Sequence, residues 1–290
     1  MITRRNFIVT TGLATTAVLA RPSLAFSMSK KEIGLQLYTL RDELPKDVKG
    51  TLQKVAKAGY STVETYGFST KDQFWGFAPK ELKKILDDNG LKAVSGHYNL
   101  GSFLYDGNTA EVSAAIEAAK TVESEFLTIS WVDEPFRRNI EDYKKIAERL
   151  NQAAKMCKEA GLKLAYHNHD FEFERHNGVT GFQILLKETD KDLVFFELDL
   201  YWVIHSGNDP LKLFKENQGR FKMWHVKDKD KKNNDLNTEV GSGTIDFKSL
   251  FAEAKQSGMV HFFVEQENNF AINSFESVKS SCDFISKNLI

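Results

Sequence analysis

The sequence predicts a single (β/α)8 barrel, and two observations support this fold class. Short runs rich in β-branched and aromatic residues alternate with amphipathic helical stretches eight times after residue 32. Strands that alternate with helices pair in parallel, and eight such units in roughly 260 residues match a barrel in number and size. The alternative is a doubly wound open sheet, but no GxGxxG follows the first predicted strand.

Glycines mark the ends of several predicted helices. Gly59, Gly90, Gly161 and Gly258 each end a helical stretch and stand just before an apolar run. Glycine at the C-cap of a helix before a buried strand is the expected chemistry of such a loop. The predicted strands are 33–37, 61–65, 91–95, 126–130, 162–166, 193–198, 221–226 and 260–264. The predicted helices are 45–58, 79–89, 109–122, 139–160, 179–188, 210–217, 246–257 and 272–288.

Composition and charge exclude some classes of function. The 290 residues carry 39 basic and 40 acidic side chains, a formal net charge of −1. Because no basic excess is available to neutralise phosphates, we expect no nucleic-acid partner. The two cysteines, Cys157 and Cys282, are too far apart in sequence to form a CxxC pair. A zinc site built from cysteines is therefore excluded.

The N-terminus has the layout of an export signal over residues 1–25. Arg4 and Arg5 precede an uncharged, mildly apolar run at 8–20, and small residues follow before position 26. The paired arginines resemble a twin-arginine signal, with a Sec-type signal or an uncleaved anchor as the alternatives. We therefore predict an exported, periplasmic protein whose single catalytic domain is 26–290, with no membrane attachment after cleavage.

Polar side chains follow the predicted strands where barrel enzymes carry their chemistry, at the carboxyl ends. Asp199, His225 and Glu265 come at the ends of strands six, seven and eight. Two carboxylates and an imidazole that point at one axial mouth would repel one another or remain unsatisfied without a cation. Oxygen ligands with one imidazole suit Mn²⁺, Mg²⁺, Co²⁺ or Zn²⁺. The sequence therefore predicts one divalent metal ion.

Seven motifs spread over the chain resemble one superfamily. It is the xylose isomerase-like sugar phosphate isomerase/epimerase superfamily, which includes ketose 3-epimerases, inosose dehydratase, dehydroshikimate dehydratase and endonuclease IV. The resemblance covers almost all of the chain after the signal. The motifs are IGLQLYTLRD (33–42), GYSTVETYGF (59–68), YHNHDFEF (166–173), FFELDLYW (195–202), HVKD (225–228), VGSGTIDF (240–247) and FFVEQEN (262–268).

The resemblance implies four metal ligands, of which three match well. Asp199, His225 and Glu265 stand at the family's Asp, His and final Glu positions. The fourth ligand is a Glu near strand five, where this chain has no carboxylate inside the strand. We expect Glu172 to be the fourth ligand, with His169 or His167 as alternatives.

The resemblance also suggests roles around the metal. A carboxylate would remove the proton next to a carbonyl and a second group would return it. The predicted catalytic residues are Glu172, Glu265 and His169. The predicted substrate-binding residues are Glu64, His97, Trp202 and Lys227.

The expected activity is isomerisation or epimerisation of a non-phosphorylated sugar or keto-sugar, because phosphorylated sugars are mainly cytoplasmic. A lyase or dehydratase acting on a keto-sugar or inosose is the second hypothesis, and a non-catalytic sugar-binding barrel is the third. A nuclease is disfavoured because Trp202 replaces a metal-binding His of the endonuclease IV relatives. Members of the superfamily are often dimers or tetramers, so a homo-oligomer is compatible with the resemblance.

Overall fold

The strands confirm the predicted fold class. The structure, a computed structural model, describes residues 32–290, and the predicted export signal lies outside the described residues. The barrel strands are β1 Gly34–Gln36, β2 Thr62–Thr65, β3 Lys92–Tyr98, β4 Phe126–Ile129, β5 Lys163–His167, β6 Val194–Asp199, β7 Phe221–Val226 and β8 His261–Val264. They close into a barrel in the order β1–β8–β7–β6–β5–β4–β3–β2, with every neighbouring pair parallel.

Helices connect the strands on the outside, and local chemistry fixes their ends. Before the first helix, Asp47 accepts a hydrogen bond from the Gly50 amide at 2.9 Å, and after it Gly59 adopts a φ of 109°. An acceptor at the N-cap and a left-handed glycine after the last turn satisfy backbone groups that are otherwise unpaired at helix ends, and the glycine is the signal noted in the sequence. The helices are α1 Val48–Ala58, α2 Pro79–Asp88, α3 Gly101–Asp106, α4 Ala110–Thr121, α5 Ile140–Glu159, α6 Gly181–Glu188, α7 Leu200–His205, α8 Pro210–Glu216, α9 Phe247–Ala252, α10 Ala254–Ser257 and α11 Ser274–Asn288.

The inside of the barrel is filled by side chains below the mouth. Phe126, Ala165, Met223 and Phe263 form a small buried cluster there, separate from the larger core that includes the helices. A Cβ atom at Gly34 would lie only 2.5 Å from the Phe263 ring, so the large ring requires a glycine on β1. This apolar layer closes the lower barrel and leaves the upper layers for polar residues.

The structure differs from the predicted elements at several places. Strand β3 continues to Tyr98, three residues beyond the predicted end, and so includes His97. Short helices at 101–106 and 200–205 were not predicted. The predicted helix at 179–188 begins at Gly181, after a two-residue strand at 179–180, and the predicted helix at 246–257 is divided at Glu253 into α9 and α10.

A buried carboxylate anchors the loop that follows β7. The Asp228 side chain accepts hydrogen bonds from the backbone amides of Lys229, Gly241, Gly243 and Ile245, at 2.8 to 3.1 Å. A Cβ atom at Gly243 would clash with the Asp228 carboxylate. The loop is thereby folded back onto the end of β7, beside the barrel mouth. Among the described residues, no helix has both the length and the apolar character needed to cross a bilayer.

Candidate metal centre

The strand register brings the predicted ligands together at the barrel mouth. Asp199 on β6 lies opposite His225 on β7, and His167 on β5 lies opposite Glu197 on β6. Residues at the same level of adjacent parallel strands point to the same side of a sheet, and in this barrel all four point inward. Glu265 follows β8 directly and completes the ring. The three strand ends predicted to share a site therefore do so.

An outer cluster contains Asp199, His225 and Glu265 around Lys227. Asp199, His225 and Glu265 offer candidate ligand atoms that lie within 4.8 Å of one another. His225 Nδ1 is 3.1 Å from Glu265 Oε2 and 3.9 Å from Asp199 Oδ2. The Lys227 ammonium group lies 3.1 Å from Asp199 and 2.7 Å from Glu265. All four side chains are at least 95% buried, so their charges act in a medium of low polarity.

Asp199 has two separate functions, one for each carboxylate oxygen. Its Oδ1 accepts from the amides of Tyr201 and Trp202 and so caps α7. Its Oδ2 is buried, forms an ion pair with the Lys227 ammonium group at 3.1 Å and lies 3.9 Å from His225 Nδ1. The cap fixes the carboxylate, and the second oxygen is directed at the cluster. Lys227 therefore supplies the positive charge that balances this oxygen in the structure.

An inner cluster lies one layer deeper and shares His225 with the outer one. His97 Nε2 is 2.7 Å from Glu197 Oε2 and 3.1 Å from Glu64 Oε2. His225 Nε2 is 2.7 Å from the same oxygen of Glu64. His167 Nδ1 lies 3.2 Å from Glu197. Two further polar side chains hold Glu64 in place, and they are Gln36 and Ser95, each at 2.6 Å.

Burial and neighbouring charges set the protonation of these groups. Burial raises the pKa of the Glu265 carboxyl, but Lys227 and His225 outweigh it and hold the pKa well below its ordinary value. Burial lowers the pKa of His225, but Glu197 and Glu265 reverse this and raise it well above the usual range. Burial lowers the pKa of His167, and the neighbouring His225 lowers it further. Glu265 is therefore ionised and His167 neutral, the forms in which both residues bind metals, whereas His225 is protonated here and would release its proton on binding one.

Glu172 lies outside both clusters. Its carboxylate accepts from the Tyr166 hydroxyl at 2.6 Å and from the His169 amide at 2.8 Å. Tyr166 alternates with the inward-facing His167 along β5, so it points to the helix layer, and Glu172 follows it. Burial raises the pKa of Glu172 to about 7. Of the three strand-five alternatives, His167 is the one in contact with the ligand set, 4.0 Å from Asp199 Oδ2.

The other predicted site residues surround the clusters. His97 lies in the inner cluster and also lines the mouth cavity, whereas Glu64 is wholly buried beneath it. Lys227 forms ion pairs with Asp199 and Glu265, and its ammonium group is 5.4 Å from the centre of the Trp202 ring. His169 lines the cavity, with its ring 4.9 Å from that of His167.

Sequence reasoning missed Glu197. It stands two residues before Asp199 on the same strand. Because side chains alternate between the two faces of a strand, residues two apart point the same way, and this spacing indicates that Glu197 faces inward with Asp199. Burial and Glu64 raise the pKa of Glu197 to about 7. Its Oε1 atom is buried without a hydrogen bond from the described residues.

The cavity above the clusters has a volume of about 950 Å³. Histidine rings and carboxylates form its floor, whereas aromatic rings and charged side chains form its wall. The lining includes His97, His167, His169, Glu265 and Glu267 on the floor, and Tyr38, Tyr66, Phe68, Trp131, Arg137, Phe171 and Trp202 around them. A deep pocket with convergent polar groups and aromatic walls is typical of a small-molecule site.

Comparison with known proteins identifies the family. The family model described as xylose isomerase-like TIM barrel matches residues 52–287. The chain belongs to the xylose isomerase-like TIM barrel family. It is 25% identical over 291 aligned residues to an inosose dehydratase of Clostridium botulinum, covering 85% of this chain and 93% of that one. It is 27% identical over 255 residues to the inosose dehydratase of Lacticaseibacillus casei, covering 74% and 81%.

Solved structures of the xylose isomerase-like family share the architecture. A sugar phosphate isomerase/epimerase from Parabacteroides distasonis is 28% identical, with a TM-score of 0.80 over 92% of this chain and 97% of that one. The IOLI protein, solved with a bound zinc atom, is 15% identical, with a TM-score of 0.69 over 88% and 97% of the two chains. At that identity the likeness shows the fold alone. The two inosose dehydratases and the P. distasonis protein are sugar-modifying enzymes by name. The outer cluster has the donor set for one metal.

Proposed function

We propose that this protein is a divalent-metal-dependent lyase that removes water from a non-phosphorylated keto-sugar or a similar cyclic polyhydroxyketone. The observation that carries the proposal is the outer cluster of Asp199, His225 and Glu265 at the floor of a 950 Å³ cavity. The names of the curated relatives support dehydration as the outcome.

Four side chains would hold the metal. They are His167, Asp199, His225 and Glu265, an oxygen and nitrogen set that suits Mn²⁺, Co²⁺, Zn²⁺ or Mg²⁺. When bound, a divalent ion supplies positive charge that stabilises the negative charge developing on a substrate carbonyl oxygen. The Asp199 Oδ2 atom, which lies 3.9 Å from His225 Nδ1 and is paired with Lys227, would be the ligand atom of that carboxylate.

Glu265 would remove the proton. It lines the cavity, and its carboxylate is held ionised by Lys227 at 2.7 Å and His225 at 3.1 Å. A carboxylate that faces a substrate can take the proton from the carbon next to the carbonyl. The Lys227 ammonium group limits the cost of that buried negative charge and orients the carboxylate toward the cavity.

His97 favours elimination as the next step. It lines the cavity and its Nε2 atom contacts both Glu197 and Glu64. Burial lowers the pKa of His97, but the two carboxylates outweigh it and raise the pKa to about 9. The ring is therefore positively charged at neutral pH. As the carbon–oxygen bond to the β-hydroxyl breaks, His97 would give its proton to the leaving oxygen, which departs as water.

The test is product analysis of the metal-loaded enzyme with inososes, ketoses and keto-glycosides. The proposal predicts loss of one water by mass spectrometry and the ultraviolet absorbance of a conjugated ketone. Asp199→Asn should abolish both, whereas Val260→Ala, at an exposed residue just before β8, should change neither. A wild-type enzyme that binds metal but forms no unsaturated product from any of these compounds would contradict the lyase assignment.

Epimerisation or isomerisation is the second candidate, and one observation favours it. The P. distasonis structure, which is 28% identical with a TM-score of 0.80, carries the name of an isomerase/epimerase. Removal of the same α-proton would start either reaction, so the same site serves both. A product of unchanged mass and altered stereochemistry would identify this alternative.

We further propose that the protein is exported through the twin-arginine route, on the basis of residues 1–25. The proposal predicts that Arg4→Lys with Arg5→Lys retains the protein in the cytoplasm, whereas Lys30→Arg does not. Fractionation of cells that produce each variant tests this, and unchanged export of the double variant would contradict it.

A further inference from the structure

Two large aromatic side chains stand exposed in the outer part of the cavity. Trp131 is 42% exposed and Tyr38 is 41% exposed, and they are among the few large hydrophobic side chains that are exposed in the described part of the chain. Both line the same cavity as His97 and Glu265. The proposed chemistry at the cavity floor uses neither of them. An exposed aromatic face inside a polar cavity is a surface on which the apolar face of a sugar ring can stack.

The ring of Trp131 is held in one orientation. Its indole Nε1 atom donates a hydrogen bond to Asp133 Oδ1 at 2.8 Å. The other Asp133 oxygen accepts from the Tyr105 hydroxyl at 2.7 Å, and Tyr105 stacks on Phe136 with ring centroids 3.5 Å apart. A ring that is both exposed and fixed by such a network loses little conformational freedom on binding. It is a preformed platform.

Trp131 stands beside the candidate ligands and not directly over them. Its ring contacts His169 and Phe171, with centroids 5.2 and 5.4 Å apart, whereas the ring contacts of His225 include His167, at 4.4 Å. His169 in turn contacts His167 at 4.9 Å, so Trp131 is linked to His225 through two histidine rings. The face of Trp131 is therefore placed to take a second ring beside one whose carbonyl lies at Glu265.

Volume and polar groups at the mouth agree with a second ring. The cavity of about 950 Å³ is near the upper end of small-molecule pockets, which range over about 300–1,000 Å³. Arg137 lines it, with its guanidinium 3.7 Å from the centre of the Phe171 ring and its Nε bonded to the Val132 carbonyl. No acceptor among the described residues takes the terminal nitrogens of Arg137, which leaves them to donate to hydroxyl groups.

We propose that Trp131, with Tyr38 and Arg137, forms an outer subsite for a second sugar ring, so that the substrate is a glycoside and not a free monosaccharide. This inference rests on the proposed function for the identity of the reacting ring. The subsite itself is a matter of binding, and its test needs no turnover.

The experiment is calorimetric titration of the metal-loaded full-length protein with α- and β-linked hexose disaccharides and with the constituent hexoses. We expect at least one disaccharide to bind about tenfold or more tightly than its hexose. Trp131→Ala should remove most of that difference and leave hexose binding unchanged, whereas Trp131→Phe should retain part of it. Ile272→Ala changes a hydrophobic side chain that is 79% exposed and does not line the cavity, and it serves as the control.

The outcomes separate the subsite from the chemistry. Disaccharide binding that depends on Trp131 supports the subsite even if no keto-sugar is turned over. If every disaccharide binds no better than its hexose, or if Trp131→Ala weakens both to the same degree, the subsite is overturned. Tyr38→Ala gives a second reading should Trp131→Ala fail to fold.

Discussion

The Nε2 atom of His225 lies 2.7 Å from the carboxylate of Glu64, although strands β1 and β8 stand between the strands that carry them. This contact passes across the inside of the barrel. It orients the imidazole so that its other nitrogen, Nδ1, faces Asp199 and Glu265. A carboxylate behind a metal-binding histidine is the usual way in which proteins fix the ring and its tautomer.

The contact leads to a prediction for Glu64→Gln. The variant should still bind one metal, but with an affinity about 10- to 100-fold lower, the cost usually found when the partner of a ligating histidine is lost. Competition with a chelator at several concentrations measures this. Glu267→Gln is the control, since Glu267 contacts Lys227 and not His225. Unchanged affinity in Glu64→Gln would show that the contact does not position the ring.

Removal of a ligand should have a larger effect. Asp199→Asn and His225→Ala should each lose the bound metal on dialysis, because each substitution removes one of the proposed metal ligands of the outer cluster. Elemental analysis of the purified proteins measures the metal content per chain. Asn preserves the helix-capping acceptor of Asp199, so the variant should fold. Full metal content in both variants would place the metal elsewhere.

His97→Gln separates chemistry from metal binding. The variant should retain metal, and its turnover should fall by about 10²- to 10⁴-fold, the range expected for loss of a proton donor. Metal content and kcat are measured on the same preparation. If kcat is unchanged with full metal, His97 does not donate the proton. His261→Gln is the matched control and should leave kcat unchanged. His261 lies near the other end of the barrel, where it contacts Glu125.

Tyr166→Phe tests the assignment of Glu172 as a structural residue. The substitution removes the hydroxyl that donates to the Glu172 carboxylate. It should lower the free energy of unfolding by about 1–3 kcal/mol, because a buried acceptor is left unpaired. Metal content should not change. Urea unfolding gives the stability, and Tyr38→Phe, at a largely exposed side chain, is the control. Loss of metal in Tyr166→Phe would return Glu172 to the ligand set.

A carboxylate near the other end of the barrel gives a pH prediction. The hydrogen bond from His261 at 3.0 Å and the ion pair with Lys163 lower the pKa of Glu125 to about 2, although burial opposes them. Because the folded pKa is below its ordinary value of 4.5, the stabilisation is present above about pH 4.5. It is lost as the pH falls toward about 2.

Glu125→Gln should therefore lower stability at neutral pH by at most about 1 kcal/mol, since the Glu125 side chain is 41% exposed and screened by solvent. The difference from the wild type should shrink as the pH falls through that window. Urea unfolding across the range measures it. Glu117→Gln, in an exposed pair with Lys120, should show no such dependence. A constant difference at all pH values would contradict the linkage.

Much of the fold was predictable because its signals are local. Glycines at helix ends and the alternation of strands with helices placed all eight strands, and barrel geometry then brought Asp199, His225 and Glu265 together. The part that sequence reasoning missed depends on which way a side chain faces. Glu172 is near the site in sequence, but its partner Tyr166 faces the helices. Glu197 faces inward because it lies two residues before Asp199.

The division of the polar residues into two layers also could not be predicted from the sequence. It depends on the stagger of strands in a closed barrel, which sets Glu64 and Glu197 one level below Asp199 and Glu265. The register shift between Phe196 and Glu197 against β7 contributes to this stagger.

Loss of the hydrogen next to the substrate carbonyl tests the proposed chemistry most directly. The metal-loaded enzyme is incubated with an inosose or a keto-glycoside that carries deuterium at that carbon, and release of the deuterium to water is followed by nuclear magnetic resonance. Because removal of this hydrogen is common to the lyase and the epimerase reactions, we expect the wild-type enzyme to release the deuterium and Asp199→Asn to retain it. Retention of the deuterium by the metal-loaded wild-type enzyme with every one of these compounds would contradict the proposed proton removal.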